Sequence, residues 1–257
     1  MRVFERHGIA LDCMDAVDLL RSLKTGSVDL VLTDPPYNVS VRSGREGTTV
    51  GRIARTGKRS DGSRSYREIR RDFGGWDHAW DARPFLRQVK RVLRPGGSMI
   101  AFTSEFLFSP YLKSGLDHRC LLYWLKSNPA PNFRGHYQRS IEMAVWQTKG
   151  GKWTFNANGA TPNVVRAPAV SGWHCQNTGE GRIHPNQKPL AVILRLLEVH
   201  SRSGDLVVDP YAGSATTLAA CAAAGRRCIG GDADAAVCAR AVRRLRRSIQ
   251  GRLELSA

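Results

Sequence analysis

The sequence predicts an α/β fold, a doubly wound and mostly parallel sheet, and three observations predict it. Short apolar runs alternate with longer stretches of helical periodicity along most of the 257 residues. The runs are continuously apolar instead of alternating, as strands covered by helices on both faces are. Two of them end in loops of Asp, Pro and small residues, the place where open α/β sheets bind ligands.

The strand candidates are Val28 to Thr33, Ser98 to Phe102, Leu121 to Leu125, Ile141 to Trp146, Asp205 to Val208 and Arg227 to Gly230. Helical patterns cover Asp15 to Lys24, Pro84 to Leu93, Leu190 to Ser201, Thr216 to Ala224 and Ala235 to Ile249. Arg94 to Gly97 (RPGG) is a stop signal between a helix and the next strand. Residues 38–81 contain no convincing strand, and 42–71 hold ten Arg or Lys against three acidic residues, which reads as an inserted basic loop. Residues 150–185 are irregular too, with Trp153, Asn156, Trp173, His174 and Arg182 among glycines and prolines. Both regions have the composition to wrap around a partner, and mere surface decoration is the plainer reading of any single residue in them.

Size and composition set the limits. Hydrophobic residues make up 42% of the chain, enough for one substantial core, so residues 1–257 read as a single domain. No uninterrupted apolar run reaches the roughly 18 residues of a spanning helix, and a membrane partner is not expected. The opening MRVFERHGIALDCMD is charged and carries no apolar stretch of a secretion signal, which suits a cytoplasmic protein. Lys and Arg total 39 against 22 acidic residues, a formal net charge of +17. Such a surface attracts polyanions, because neutralised phosphates release counterions, although the same charge also serves solubility. The six cysteines include no close-spaced pair, so no metal site is expected, and Cys221 and Cys228 sit among small residues as core positions do.

Two constellations carry chemistry. Asp34-Pro35-Pro36-Tyr37 follows the first apolar strand. An exocyclic base amine is a poor nucleophile, since its lone pair is conjugated into the ring. Acceptors for its N–H groups, such as Asp34 or the Pro35 carbonyl, would draw it out of conjugation, and the two prolines hold those acceptors rigid. Tyr37 offers a flat face to an extruded base. The alternative is a turn that simply closes a strand. The second constellation, Asp209-Pro210-Tyr211-Ala212-Gly213-Ser214-Ala215-Thr216-Thr217, ends a strand and opens a helix. Its small residues admit close approach, its helix N-terminus favours a carboxylate, and Asp209 can meet an ammonium. Gly230-Gly231-Asp232 then places an acidic residue where ribose hydroxyls are bound in dinucleotide folds, but the GxGxxG of nicotinamide enzymes is absent.

In this order the motifs resemble those of the β-group amino-methyltransferases of bacterial and phage DNA. Gly8 to Asn38, Val89 to Phe102, His184 to Pro189 (HPNQKP), Asp209 to Thr217 and Gly225 to Asp232 carry the resemblance, which covers most of the chain. It implies a circularly permuted, Rossmann-like fold dependent on S-adenosylmethionine, with the catalytic strand early and the cofactor strand late. It implies that Asp209, Gly213, Ser214 and Thr216 surround the methionine moiety, that Asp232 binds the ribose and that Asp12 lies near the cofactor's adenine. Lys188 would reach the cofactor's carboxylate, and Asp34 to Tyr37, with Asp34 facing both donor and target, would form the catalytic pocket. Residues 150–185 would be the target-recognition region, aided by 38–81. Double-stranded DNA is the implied partner. A homodimer and an accompanying restriction endonuclease are further partners that such relatives often have.

Two positions depart from the family pattern. Ala215 stands where a glycine is usual and is strained if that position needs a positive φ. Asp232 stands in place of the more usual glutamate. Asp34 at the head of its motif leans toward adenine N6 as the target, with cytosine N4 the alternative because it needs the same acceptors. Cytosine C5 chemistry is disfavoured, since no Pro-Cys dipeptide occurs. A non-catalytic DNA-binding protein with a decayed cofactor site is the reading from a different class.

Overall fold

The computed structural model describes residues 1–37, 80–129, 137–157, 159–170, 183–184 and 186–255, with the backbone alone at 49–58, 64–71 and 250–255. The strands are β1 (Arg2–Arg6), β2 (Ile9–Cys13), β3 (Val28–Thr33), β4 (Thr49–Lys58), β5 (Arg64–Arg71), β6 (Leu93–Thr103), β7 (Asp117–Lys126), β8 (Ile141–Thr148), β9 (Val164–Ala167), β10 (Leu206–Asp209) and β11 (Arg227–Asp232). The helices are α1 (Ala16–Ser22), α2 (Ala82–Val92), the short α3 (Phe108–Leu112), α4 (Leu190–His200), α5 (Thr216–Ala224) and α6 (Ala235–Leu255).

Nine strands form one sheet in the order β1-β2-β11-β10-β3-β6-β8-β7-β9. From β2 to β6 every pairing is parallel, β1 and β8 run antiparallel to their neighbours, and β9 is parallel to β7. Successive side chains of a strand point to opposite faces, and the core divides accordingly. Leu30, Leu32, Ile100, Phe102 and Val207 pack on one face with Val192 and Leu196 of α4, Leu218 of α5 and Leu245 of α6. Val28, Val31, Met99, Ala101 and Val208 pack on the other with Leu20 of α1, Phe85 and Val89 of α2 and Tyr111 of α3. The sheet is therefore doubly wound, as expected.

Local chemistry sets the helix starts. Asp15 accepts hydrogen bonds from the Val17 and Asp18 amides at the head of α1, and Asp81 accepts one from Arg83 at the head of α2. At the end of β11, a Cβ on Gly230 would lie 2.5 Å from Leu218 of α5 and one on Gly231 would lie 2.8 Å from Leu19 of α1. Two glycines thus let helices from both faces close over one strand end.

Three expectations need correction. Residues 38–81 are not a strandless loop: β4 and β5 pair antiparallel as a separate two-stranded ribbon. Charged residues make up five of the eight in β5, β4 mixes arginines with glycines and threonines, and the register shifts between Thr49 and Arg52 and again between Arg55 and Gly57, which erases the two-residue period. The irregular stretch 150–185 contributes β9 to the sheet edge; it is only four residues long, with exposed and covered positions interleaved. RPGG does not stand outside the next strand, because β6 runs through it. Trp173, His174 and Arg182 lie outside the described residues.

The backbone is strained at two informative places. Gly96 has φ +77°, and a Cβ there would sit 2.2 Å from the Lys152 carbonyl oxygen. Ala215, at the head of α5, has φ 58° and ψ 34°, the left-handed conformation that the family's glycine accepts freely. Its amide donates to the Ala212 carbonyl at 2.7 Å and its carbonyl accepts from Ala219 at 3.0 Å, so the turn is closed on both sides.

Gly96→Ala is expected to destabilise the protein by about 2–4 kcal/mol in urea denaturation, combining left-handed strain with backbone overlap. Gly150→Ala, at φ +48° with nothing within 4 Å of the added Cβ, should cost only about 1–2 kcal/mol. Ala215→Gly should be nearly neutral, because relief of roughly 1 kcal/mol of strain is offset by a lost buried methyl worth about 0.8 kcal/mol. Ala215→Val should cost more than about 2 kcal/mol, a β-branched side chain being worse at positive φ.

Candidate active site

The winding of the sheet reverses between β3 and β10. Beyond β10 the chain enters α5 on one face, and the next described helix after β3, α2, lies on the other. The carboxyl ends of these adjacent parallel strands therefore open into a crevice, which both motifs line. They are directly joined: the Thr33 hydroxyl donates to Asp209 Oδ1 at 2.7 Å, with both residues buried.

On the β10 side, Asp209 also accepts from the Tyr211 amide at 3.3 Å. Burial pushes its carboxyl up to about 6, and hydrogen bonds from Thr33, Thr217 and the Tyr211 amide restrain the rise. Tyr211 packs edge-on against Phe85 and Trp80 and accepts a 2.8 Å hydrogen bond from Trp80 Nε1. Gly213 has φ 50° and donates its amide to Asp232 Oδ2 at 3.0 Å, while the other oxygen of Asp232 accepts from the Asp234 amide at 2.9 Å. Burial raises the Asp232 carboxyl above its usual range. Ser214 and Thr216 are buried with their hydroxyl oxygens 3.0 Å apart. Arg244 of α6 donates to the Ser214 carbonyl at 2.9 Å and to Thr216 Oγ1 at 2.7 Å, clamping the first turn of α5 from behind. Asp12, next to last in β2, lies opposite Gly231 of β11, one strand from Asp232, and Arg2 grips both its oxygens at 3.1 Å. Asp209, Gly213, Ser214, Thr216, Asp232 and Asp12 thus lie at or just after the carboxyl ends of β10, β11 and β2.

On the β3 side, Pro35 and Pro36 are buried, and Asp34 and Tyr37 are partly covered. The Tyr37 hydroxyl donates to Asp34 Oδ1. Burial, then the charges of Asp34 and Glu142, hold this phenol well above its usual range, so it remains a proton donor. The Lys188 ammonium is buried and 2.5 Å from Asp34 Oδ2. It is also 3.3 Å from the Tyr37 hydroxyl, 3.2 Å from Glu142 Oε2 and 4.8 Å from the centre of the Phe102 ring. Two carboxylates in one poorly solvated pocket need a cation between them, which explains its place.

Sequence reasoning missed Glu142, at the second residue of β8, which meets the Lys126 ammonium at 2.7 Å through Oε1. Its Oε2 is closed to solvent and accepts no hydrogen bond of proper angle, so Lys188 meets it as an ion pair alone. Burial alone would raise the Glu142 carboxyl, but Lys188 and Lys126 override this and hold it below the usual range. Burial would lower Lys188, and Asp34 with Glu142 raises it instead, so the ammonium stays charged. The one available signal was an acidic residue inside the apolar run IEMAVW.

The segment carrying Lys188 spans both halves of the crevice. Gln187 is buried, and its side chain accepts from the Ile183 amide at 3.0 Å, closing a tight turn. The His184 ring lies about a van der Waals contact from Gly213, 3.9 Å from where a Cβ would stand. Its imidazole is held below its usual range by burial, although Asp232 and Asp34 pull the other way. Among the described residues no group of three or more His, Cys, Asp or Glu is placed to hold a metal ion. No helix among them is long and apolar enough to cross a membrane.

Known proteins resemble this chain in sequence and in fold. The chain is 29% identical over 243 residues to the type II methyltransferase M.HinfI of Haemophilus influenzae, covering 84% of this chain and 62% of that protein. It is 26% identical over 219 residues to the type II methyltransferase M2.MboI of Moraxella bovis, covering 79% and 75%. The chain thus spans less than two thirds of M.HinfI and three quarters of M2.MboI. The fold matches the crystal structure of the M1.HpyAVI–SAM complex with a TM-score of 0.62 at 23% identity, over 91% of this chain and 98% of that one. It matches the cytosine-N4-specific PvuII DNA methyltransferase with a TM-score of 0.66 at 17% identity, over 91% and 84%. Residues 28–243, which include Asp34, Glu142, Lys188, Asp209 and Asp232, match the N6/N4 DNA methylase family, and the chain belongs to that family.

Proposed function

We propose that the protein methylates the N6 amine of adenine at a specific site in double-stranded DNA, using S-adenosylmethionine and a target nucleotide swung out of the duplex. The observation that carries this reading is the buried Thr33–Asp209 hydrogen bond, which fastens the catalytic motif to the cofactor motif at one switch point.

The residues fit the cofactor. Its methionine end carries both an ammonium and a carboxylate. Asp209 is a buried carboxylate for the first, and the head of α5, whose amides no side chain caps, suits the second. Gly213 has no side chain to obstruct close approach, Ser214 and Thr216 belong to the same turn, Asp232 would take the ribose hydroxyls, and Asp12 would face the adenine end. When bound, S-adenosylmethionine supplies an electrophilic methyl group on a sulfonium.

The chain's own residues then act on the amine. Asp34 and the Pro35 carbonyl accept its N–H groups, so its lone pair leaves the ring and faces the methyl group. As the amine takes up the methyl group, positive charge would grow on the nitrogen, and the fixed Asp34 carboxylate would stabilise it until one amine proton passes to solvent. Tyr37, pinned to Asp34, presents its ring to the extruded base. The formal net charge of +17 favours association with DNA phosphates. Asp34 at the head of the motif favours adenine; the same acceptors would serve cytosine N4.

Mass spectrometry of nucleosides from DNA of cells expressing the protein should show N6-methyladenine. N4-methylcytosine instead would change the target base, and neither product would overturn the reading. Asp34→Ala should lower the transfer rate by about 10²–10³-fold or more while duplex binding changes little. Asp209 sets a pH dependence. Its carboxyl, raised to about 6, loses its charge below that value. Calorimetry should therefore show S-adenosylmethionine affinity falling up to roughly tenfold per pH unit below 6. A flat profile from pH 7.5 to 5 would remove Asp209 as the ammonium's partner.

A further inference from the structure

In the catalytic pocket the charges alternate in sign: Asp34, Lys188, Glu142, Lys126. The contacts along this row are 2.5, 3.2 and 2.7 Å. The row is drawn from three distant parts of the chain: the loop after β3, the turn before α4, and the facing ends of β7 and β8, where Trp124 pairs with Glu142. Side-chain exposure is 7% for Lys188, 17% for Lys126, 23% for Asp34 and 26% for Glu142, so the central ammonium is the most covered of the four side chains.

Resting on the methyl-transfer reading above, we infer that Glu142 is a positioning residue for the reaction, acting through Lys188 on Asp34. An ammonium 2.5 Å from Asp34 would by itself cancel most of the negative charge on which a cationic amine depends. Glu142 on the far side of that ammonium prevents the cancellation. It draws the positive charge toward itself, so the row presents its negative end to the target. The same contact fixes the Lys188 ammonium in space, which holds Asp34 Oδ2, while Tyr37 holds Oδ1. Lys126 on Oε1 keeps Glu142 ionised and anchored to the sheet. Glu142 touches no reacting atom in this scheme; its effect is on the charge and orientation of the carboxylate that does.

The test is a set of variants in the full chain: Glu142→Gln, Glu142→Asp, Lys188→Met and the double variant Glu142→Gln/Lys188→Met. Single-turnover methylation of duplex DNA is measured per cofactor-binding site, with the number of sites counted by calorimetry so that unfolded protein does not enter the rate. Glu142→Gln should slow transfer by about 10–100-fold, as expected for a mispositioned reacting group, with DNA KM and cofactor Kd changed by less than about threefold. Glu142→Asp, which keeps the charge, should regain most of the loss, something a role in packing alone would not produce. In thermal melts the double variant should lose less Tm than the two single variants together, since they share one interaction. A Glu142→Gln rate equal to the unsubstituted protein's, no rescue by aspartate, or additive Tm losses would each overturn the inference. If the unsubstituted protein transfers no methyl group to DNA, the methyl-transfer reading itself fails and takes this inference with it; that outcome is distinct from an active protein indifferent to Glu142.

Discussion

The structure depends on the parallel pairing of β3 with β10. Their loops meet only because the winding reverses between them, and the Thr33–Asp209 hydrogen bond closes the seam between residues 176 positions apart. A serine or threonine at the last position of β3 supplies the donor, and a buried carboxylate at the last position of β10 requires one. The surrounding elements follow from that junction. α5 and α2 leave on opposite faces, β11 and β2 extend the sheet beyond β10, and β6 with antiparallel β8 extends it beyond β3.

The site holds buried carboxylates in two contrasting ways. Asp209 receives hydrogen bonds from neutral groups, so burial dominates and its proton affinity rises to about 6. Glu142 meets two ammonium groups, so charge dominates and its proton affinity falls. Carboxyl groups in one crevice thus differ in affinity because their neighbours differ, the usual means by which a protein gives identical groups different work. The ring of Phe102 and the buried prolines keep water scarce around Lys188, which makes each of these charges count for more.

Much of this was legible in the residues. β3 and α5 fall where the apolar run and the helical period put them, and both motifs lie at strand ends because Asp, Pro and Gly punctuate the chain there. The strained geometry of Ala215 was foreseen from the resemblance alone, since a glycine is usual at that position. What was not legible depends on distant partners. β1 and β2 are short and β1 is largely exposed, so neither gives a clear period. β9 exists because β7 offers it an edge. Glu142 reads as an outlier in an apolar strand, and nothing near it in sequence announces the lysines that neutralise it. Lys188 was found, but its partner was not: periodicity locates a side chain, and only the folded sheet decides which charge it meets.

The left-handed residue at 215 has a consequence beyond its own stability. The turn from 213 to 216 is bent by its own backbone hydrogen bonds and held from behind by Arg244. The conformational work of shaping that cradle is done while the chain folds. An incoming molecule meets a mould already set, and association proceeds without the ordering penalty that a slack glycine hinge would impose.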